Sequence, residues 1–244
     1  MTILCIETST SVCSAAICKD GKPYKQCISR EGSNHARLLP RYIEELLRFA
    51  AEQNLSIEAV ALSEGPGSYT GLRIGTSTAK GLCYGLNIPL IPVPTLRVLA
   101  YAAREKGAEG IQPSDILLPM IDARRMEVYT LGEDGKAKAV VVESEQSLLS
   151  NSPKDGLTGK AGLTPDNGAV FYFGDGAAKC QSVLTNPDWH YMPDIVPEAQ
   201  YVGVLAEAIS REQSPLINQQ LAYYEPFYLK EFVAAQSHVK GLKS

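Results

Sequence analysis

Apolar runs of strand length open the chain and alternate with turn residues. Thr2–Glu7, Ser11–Lys19 and Pro23–Ser29 each have the length and the apolar content of a strand. Asp20–Gly21 is a turn signal between the second and the third run. The sequence therefore predicts that the chain begins as a meander of three antiparallel strands.

An amphipathic helix is predicted after the meander, because apolar residues recur there at steps of three and four. Ser33 or Asn34 can cap the start of this helix. Its apolar stripe consists of Leu38, Leu39, Tyr42, Ile43, Leu46 and Leu47. The elements predicted next are the strand Ile57–Leu62, the helix Gly71–Leu86, the strand Ile88–Val93 and a helix that begins near Pro94.

This order of elements is that of the ribonuclease-H-like unit, which actin, sugar kinases and heat-shock ATPases share as a fold but not as a function. Proteins of that superfamily contain two such units, and the sequence holds a faint second copy. The segment Ile6–Lys22 is similar to the segment Ile121–Lys136. Each begins with an isoleucine followed by an acidic residue and ends with Asp-Gly-Lys. Val60–Gly65 has a looser echo in Val170–Asp175, and chance similarity is the alternative.

The predicted fold is α/β, a two-lobed actin-like ATPase (ribonuclease-H-like) fold with mixed sheets flanked by helices. The predicted lobes are residues 1–105 and 106–244, and the last helix, predicted at Tyr201–Arg211, can pack back on the first lobe. The second lobe is predicted to be degenerate, because Asn151–Gly168 has the composition of a loop rather than a helix. The tail from Gln236 is polar enough to fray.

A glycine-rich turn between a predicted strand and a predicted helix is the most informative part of the sequence. Gly65 and Gly67 permit backbone angles that other residues avoid. Ser68 and Thr70 can each cap the start of the helix. Amides at a helix start attract anions, so a phosphate site and a tight connection that needs glycine for geometry alone both remain open.

Three glycine motifs of known enzymes do not fit this turn. A dinucleotide fingerprint needs glycine at Thr70, and a Walker loop needs lysine where Leu72 follows Gly71. A nucleophile elbow needs a serine centred between glycines, whereas Ser68 directly follows Gly67. These mismatches weaken the Rossmann, kinase-loop and esterase hypotheses.

The run from Gly65 to Gly75 resembles the signature sequence of one family, the bacterial TsaB (YeaZ) proteins. That signature has the same residues in the same order, with an aromatic residue between Ser and Thr, as Tyr69 is between Ser68 and Thr70 here. Further stretches resemble that family in the expected order, so the resemblance covers nearly the whole chain. These stretches are Ile6–Thr10, Ser14–Ala16, His35–Pro40, Glu44–Leu47, Pro92–Ala100, Ile121–Tyr129, Gly174–Ala177 and Tyr228–Lys230.

The resemblance implies a non-catalytic scaffold subunit in the complex that attaches a threonylcarbamoyl group to tRNA (t6A). Its implied partners are the catalytic paralogue TsaD, with which it would form a heterodimer, and the ATPase TsaE. Alone, the chain would form a homodimer. It would contact tRNA only through the complex. The long helix and the glycine-rich helix would form the partner surface. The implied interface residues are Leu38, Leu39, Tyr42, Ile43, Leu46, Gly71, Gly75, Thr78 and Ala79. Packing of the small residues on this protein's own sheet is the alternative.

No metal site or catalytic centre is predicted. TsaD carries its metal on a His-x-x-x-His helix, whereas His35 is followed four residues later by Leu39. His190 and His238 have no partner spacing, so all three histidines are predicted to be exposed or capping. Six cysteines without a Cys-x-x-Cys pair are predicted to be small buried hydrophobes in a reducing compartment.

Composition adds limits on partners and location. The 244 residues are 45% hydrophobic with a net charge of −4, and Lys and Arg are scattered, so tight autonomous binding to nucleic acid is not expected. Met1–Glu7 lacks a basic leader segment, and no apolar run reaches the ~18 residues of a membrane span. The chain is therefore expected to be cytoplasmic.

The alternative function is a small nucleotide-hydrolysing enzyme of the actin and sugar-kinase superfamily. Glu7 at the end of the first strand, with its echo Asp122, would act there, although a strand-end capping role is the competing interpretation. A weak ADP or ATP site would comprise Glu7, Gly65, Gly67, Ser68, Gly71, Gly174 and Gly176.

Arg124 and Arg125 could bind an anion or an acidic partner, or could be a solvated pair. A protease has no nucleophile–base pair to rest on.

Overall fold

The computed structural model describes residues 1–32, 34–107, 110–112, 114–132, 134–149, 168–212, 215–216 and 218–230. The predicted cap Ser33, the predicted loop at 151–167, His238 and the tail from Gln236 lie outside the described residues.

The first five strands form one mixed sheet in the order β3-β2-β1-β4-β5. These strands are β1 (Thr2–Glu7), β2 (Cys13–Lys19), β3 (Lys22–Ser29), β4 (Ala59–Gly65) and β5 (Leu90–Pro94). β1, β2 and β3 pair antiparallel, which confirms the predicted meander, whereas β1, β4 and β5 pair parallel. β1 is buried along its whole length, because helices cover both faces of the sheet. This arrangement confirms the ribonuclease-H-like prediction.

Three helices follow the predicted order with shifted boundaries. They are α1 (His35–Glu52), α2 (Tyr69–Leu86) and α3 (Thr95–Lys106). α2 begins before the predicted Gly71, because Ser68 is the cap and its Oγ accepts a hydrogen bond from the Gly71 amide at 3.3 Å. Asn34 occupies the N-cap of α1, but its side chain makes no capping hydrogen bond, so the predicted cap role is corrected there.

Between α3 and α5, the described residues form six further strands and one short α-helix. They are β6 (Ile116–Pro119), β7 (Ile121–Asp122), β8 (Glu127–Leu131), β9 (Ala137–Val141), α4 (Glu145–Leu149), β10 (Val170–Phe173) and β11 (Trp189–Met192). β7, β8 and β9 form an antiparallel sheet, and β6, β10 and β11 form a parallel one.

The two small sheets together repeat the topology of the first sheet. Met120 alone separates β6 from β7, and if these are taken as one interrupted strand the order is β9-β8-β7/β6-β10-β11, with the directions of β3-β2-β1-β4-β5. Asp134–Gly135 lies between β8 and β9 as Asp20–Gly21 lies between β2 and β3. α4 has five residues where α1 has 18, so the second copy is reduced.

We call β1–β5 with α1 and α2 the first half, and β6–β11 with α4 the second half. α3 contacts both β4 and β6. It ends at Lys106, so the predicted boundary between residues 105 and 106 falls within it and stays a prediction.

The last helices return to the first half. α5 (Ala199–Glu212) packs on the face of the first sheet opposite α1 and α2, through Ala199, Val202 and Ala206. α6 (Asn218–Tyr223) lies against α2. Within the described part of the chain, no helix is long and apolar enough to cross a membrane.

Candidate functional site

Glu7, at the end of β1, is a carboxyl group completely removed from solvent. Its Oε1 accepts hydrogen bonds from the Ser9 amide at 2.6 Å and the Ser9 hydroxyl at 2.5 Å, and its Oε2 accepts one from the Ser63 hydroxyl. Burial raises the pKa of the carboxyl, the Ser63 and Ser9 hydrogen bonds oppose the rise, and the charge of Asp175 adds to it. Both oxygens are thus already engaged within the chain.

The loop that follows β1 is docked directly on the start of α2. The Ser68 amide donates to the Ser9 carbonyl at 2.6 Å, and the Thr8 hydroxyl donates to the Gly71 carbonyl at 2.8 Å. A Cβ at Gly71 would lie 2.0 Å from the Thr8 carbonyl oxygen, and one at Gly67 would lie 2.3 Å from that of Ser9. These glycines therefore allow two backbone segments to meet, which favours the geometric interpretation of the turn over the phosphate interpretation.

The second half has a corresponding turn after β10. Gly174 has a φ of +105°, and a Cβ there would lie 2.2 Å from the Met120 carbonyl oxygen. Gly176 is also close to the backbone, since a Cβ there would lie 2.8 Å from the carbonyl carbon of Ile121. Both glycines thus bring the turn against the β6–β7 junction.

Asp175 connects this turn to the end of β7. Its Oδ1 accepts a hydrogen bond from the Asp122 amide at 2.9 Å, while the Asp122 carboxylate pairs with Lys179. Partial desolvation of the Asp175 carboxyl group raises its pKa. The hydrogen bond from the Asp122 amide and the charge of Lys179 partly oppose this rise. Asp175 is thus held at the end of β7, and its charge is a minor cause of the raised pKa of Glu7.

The predicted nucleotide-site residues are divided between these two turns, and nucleotide binding there stays a prediction. Within the described residues, no group of three or more His, Cys, Asp or Glu side chains could hold a metal ion. Sequence reasoning missed Ser9, Ser63 and Asp175 as partners of Glu7. Ser63 could have been found only from the pairing of β1 with β4, which sets Ile6 opposite Leu62.

His35 is buried, so of the two predicted alternatives, exposed or capping, the exposed one is wrong for it. Its Nε2 lies 3.0 Å from the Thr10 carbonyl oxygen and 3.2 Å from that of Val12, so His35 contacts the β1–β2 loop. His190 is exposed and its ring lies 5.2 Å from that of Phe171. All six cysteines are buried and free, as predicted.

Six of the nine predicted interface residues point into this protein's own interior, and the prediction is corrected for them. Leu39, Ile43 and Leu46 belong to the core between the first sheet and its helices. Gly71, Gly75 and Ala79 face the same way and are also buried. A Cβ at Gly75 would lie 2.4 Å from Thr8 Oγ1, so the close neighbour is the β1–β2 loop and not a partner. Leu38, Tyr42 and Thr78 are half-buried.

The outward face of α2 presents other small and aromatic residues. Gly81 and Gly85 are exposed, and a Cβ at either would meet nothing within 4 Å. Tyr84 is 88% exposed and Leu86 45%. Because large apolar side chains with such high exposed fractions often mark interaction sites, the face of α2 that carries Tyr84 and Leu86 is a candidate contact surface.

A groove of about 600 Å³ lies along the outer side of α1 beside β3. Lys25 lines this groove. Its Nζ lies 2.8 Å from Glu45 Oε1 and 5.2 Å from the centre of the Phe49 ring. The groove is lined by Lys25, Leu38, Arg41, Tyr42, Glu44, Glu45, Arg48, Phe49 and Glu52. Leu38 and Tyr42, the predicted interface residues left accessible on α1, therefore lie in this groove.

Comparisons with known proteins find relatives whose names refer to threonylcarbamoyladenosine in tRNA. A family model described as TsaD, tRNA N6-adenosine threonylcarbamoyltransferase, matches residues 29–149. The Escherichia coli "tRNA threonylcarbamoyladenosine biosynthesis protein TsaB" is 39% identical over 132 residues, which are 53% of each chain. The protein of the same name from Buchnera aphidicola subsp. Baizongia pistaciae is 36% identical over 63% of this chain and 67% of its own.

The chain spans about half the length of the first curated relatives that it matches, 52% and 53%. Among solved structures, YeaZ from Pseudomonas aeruginosa superposes with a TM-score of 0.66 at 24% identity, over 93% of this chain and 99% of that one. This likeness extends the agreement in fold to almost all of both chains.

Proposed function

The chain belongs to the TsaB family, and from this premise we propose that it is a non-catalytic subunit of the machinery that makes t6A in tRNA, where it binds and activates a TsaD paralogue. The observation that carries the non-catalytic part is Glu7, which is fully buried with both oxygens hydrogen-bonded inside the chain. A carboxylate in that state is poorly placed to hold a metal or to activate a water molecule. The partner would supply the chemistry and most of the contact with tRNA.

The outward faces of α1 and α2 are the proposed docking surface for TsaD, and for a second copy when the chain is alone. Gly81 and Gly85 leave space on α2 for another backbone to approach, and Tyr84 supplies an exposed aromatic anchor. On α1 the proposed surface is the groove that has Leu38 and Tyr42 among its lining residues. We place TsaE as a third member, in the cytoplasm, without assigning it a surface.

A pull-down with the cell's TsaD paralogue, followed by a t6A transferase assay with and without this chain, tests the proposal. Gly81→Leu fills the open space on α2, so we expect it to reduce TsaD binding at least tenfold while the free chain stays folded. Ala139→Leu is a matched control, since Ala139 is exposed on β9 of the second half. Transferase activity of TsaD that does not depend on this chain would refute the activation, and wild-type binding by Gly81→Leu would refute the surface.

A further inference from the structure

The segment Tyr224–Lys230, which we call the strap, leaves α6 and crosses the turn between β4 and α2. The Phe227 amide donates to the Glu64 carbonyl at 2.7 Å. The Phe227 carbonyl oxygen would lie 2.3 Å from a Cβ at Gly65, so only glycine allows the strap to lie this close. Lys80 of α2 donates to the carbonyls of Ala222 at 2.8 Å and Tyr224 at 3.1 Å.

Aromatic contacts complete this attachment to the first half. The Tyr228 ring lies 4.8 Å from that of Tyr69, at the start of α2. The Arg73 guanidinium lies 4.9 Å from the centre of the Tyr69 ring. The strap is thus fixed to the first half by backbone hydrogen bonds and by stacked side chains, neither of which depends strongly on ionic strength.

The strap reaches the second half in a different way. Lys230, its last residue, pairs with Glu127 at the start of β8. The two side chains are 41% and 22% exposed, so the pair is open to water and to salt. The attachment to the second half is therefore an ion pair, whereas the contacts described above with the first half are hydrogen bonds to the backbone and ring contacts.

We propose that the strap is an ionic latch that holds the second half against the first. α3 packs on both halves with apolar side chains and would act as the hinge. Separation of Lys230 from Glu127 would then let the halves move apart about α3, while the strap stays on the first half.

The test measures the distance between the halves in the isolated full chain. Spin labels are attached to cysteines introduced at Ser56, which is exposed before β4, and at Ala178, which is exposed after β10. The six native cysteines are buried and so are protected from labelling. An excess of unlabelled chain removes distances between copies.

Lys230→Glu and Glu127→Lys should each broaden the distance distribution toward longer values, and the double exchange should restore it. The ratio of open to closed molecules should change by up to about fivefold, as for a partly exposed ion pair. Raising the salt to about 1 M should reproduce the change in the wild type. Lys136→Glu, which changes the same charge at an exposed position of the second half, should have no effect. A wild-type distribution in Lys230→Glu, or failure of the double exchange to restore it, would overturn the proposal.

Discussion

Glu7 is a buried acid whose hydrogen bonds join the ends of two neighbouring strands. From the sequence it is an acid at a strand end, in the position that a catalytic acid would take. In the structure, Ser9 and Ser63 surround its carboxyl group, and no part of it reaches solvent. The same group therefore serves to hold the ends of β1 and β4 together.

The raised pKa of Glu7 predicts a pH dependence of stability. Because the folded chain holds the proton more tightly than the unfolded chain, the protonated acid contributes stability below its unfolded pKa, and that contribution is lost as the pH rises through the folded pKa. The side chain in Glu7→Gln cannot ionise. The free energy of unfolding of this variant, relative to that of the wild type, should therefore increase as the pH is raised from about 4. Urea unfolding at several pH values measures the difference.

The charge of Asp175 provides a control for this pH effect, since it is one cause of the raised pKa of Glu7. In an Asp175→Asn background the gap between Glu7→Gln and its parent should begin at the same pH, stop widening at a lower pH and be smaller. A gap that is flat with pH in both backgrounds would contradict the prediction. Glu7→Ala, which leaves buried donors of Ser9 and Ser63 without an acceptor, should cost about 1–3 kcal/mol below about pH 4, and this cost should shrink as the pH rises, because the variant has no carboxyl group to ionise.

At the scale of elements, α2 carries glycines with opposite roles on its two sides. Gly75 lies against the β1–β2 loop, where a Cβ would be 2.4 Å from Thr8 Oγ1, whereas Gly81 faces open space. Gly75→Ala should therefore destabilise the chain by roughly 1–3 kcal/mol through overpacking. Gly81→Ala should stabilise it by about 1 kcal/mol, because alanine favours the helix. Thermal or urea unfolding ranks the two variants, and equal effects would contradict the assignment of the two sides.

Sequence patterns predicted the elements of the first half well, because each has a strong period and a local start signal. Ser68 and the glycine turn fixed the start of α2 to within two residues. The patterns could not say which side of α2 faces inward, since small residues occur on both. That choice depends on where the β1–β2 loop lies, and His35 holds this loop through contacts that join residues 23 to 25 positions apart.

At the scale of the whole molecule, the repeated topology was predictable only in outline. The echo of Ile6–Lys22 in Ile121–Lys136 located the second copy of the strand order. Its reduction to short strands, with a break at Met120, leaves no periodic signal of useful length. The return of α5 to the first sheet and the path of Tyr224–Lys230 depend on contacts between distant parts of the chain, which local patterns do not encode.

Nucleotide binding belongs to this largest scale, because the predicted site draws on both halves. The amide of Ser68 is already bonded to the Ser9 carbonyl, and Phe227 covers Gly65, so phosphate would have to displace contacts within the chain. We therefore expect calorimetry with ADP and ATP to give affinities weaker than micromolar, and no hydrolysis above that of a Glu7→Gln preparation purified in parallel. Micromolar binding together with turnover that Glu7→Gln abolishes would instead establish the nucleotide-hydrolysing enzyme. Micromolar binding without turnover would contradict the expected affinity but leave the non-catalytic proposal standing.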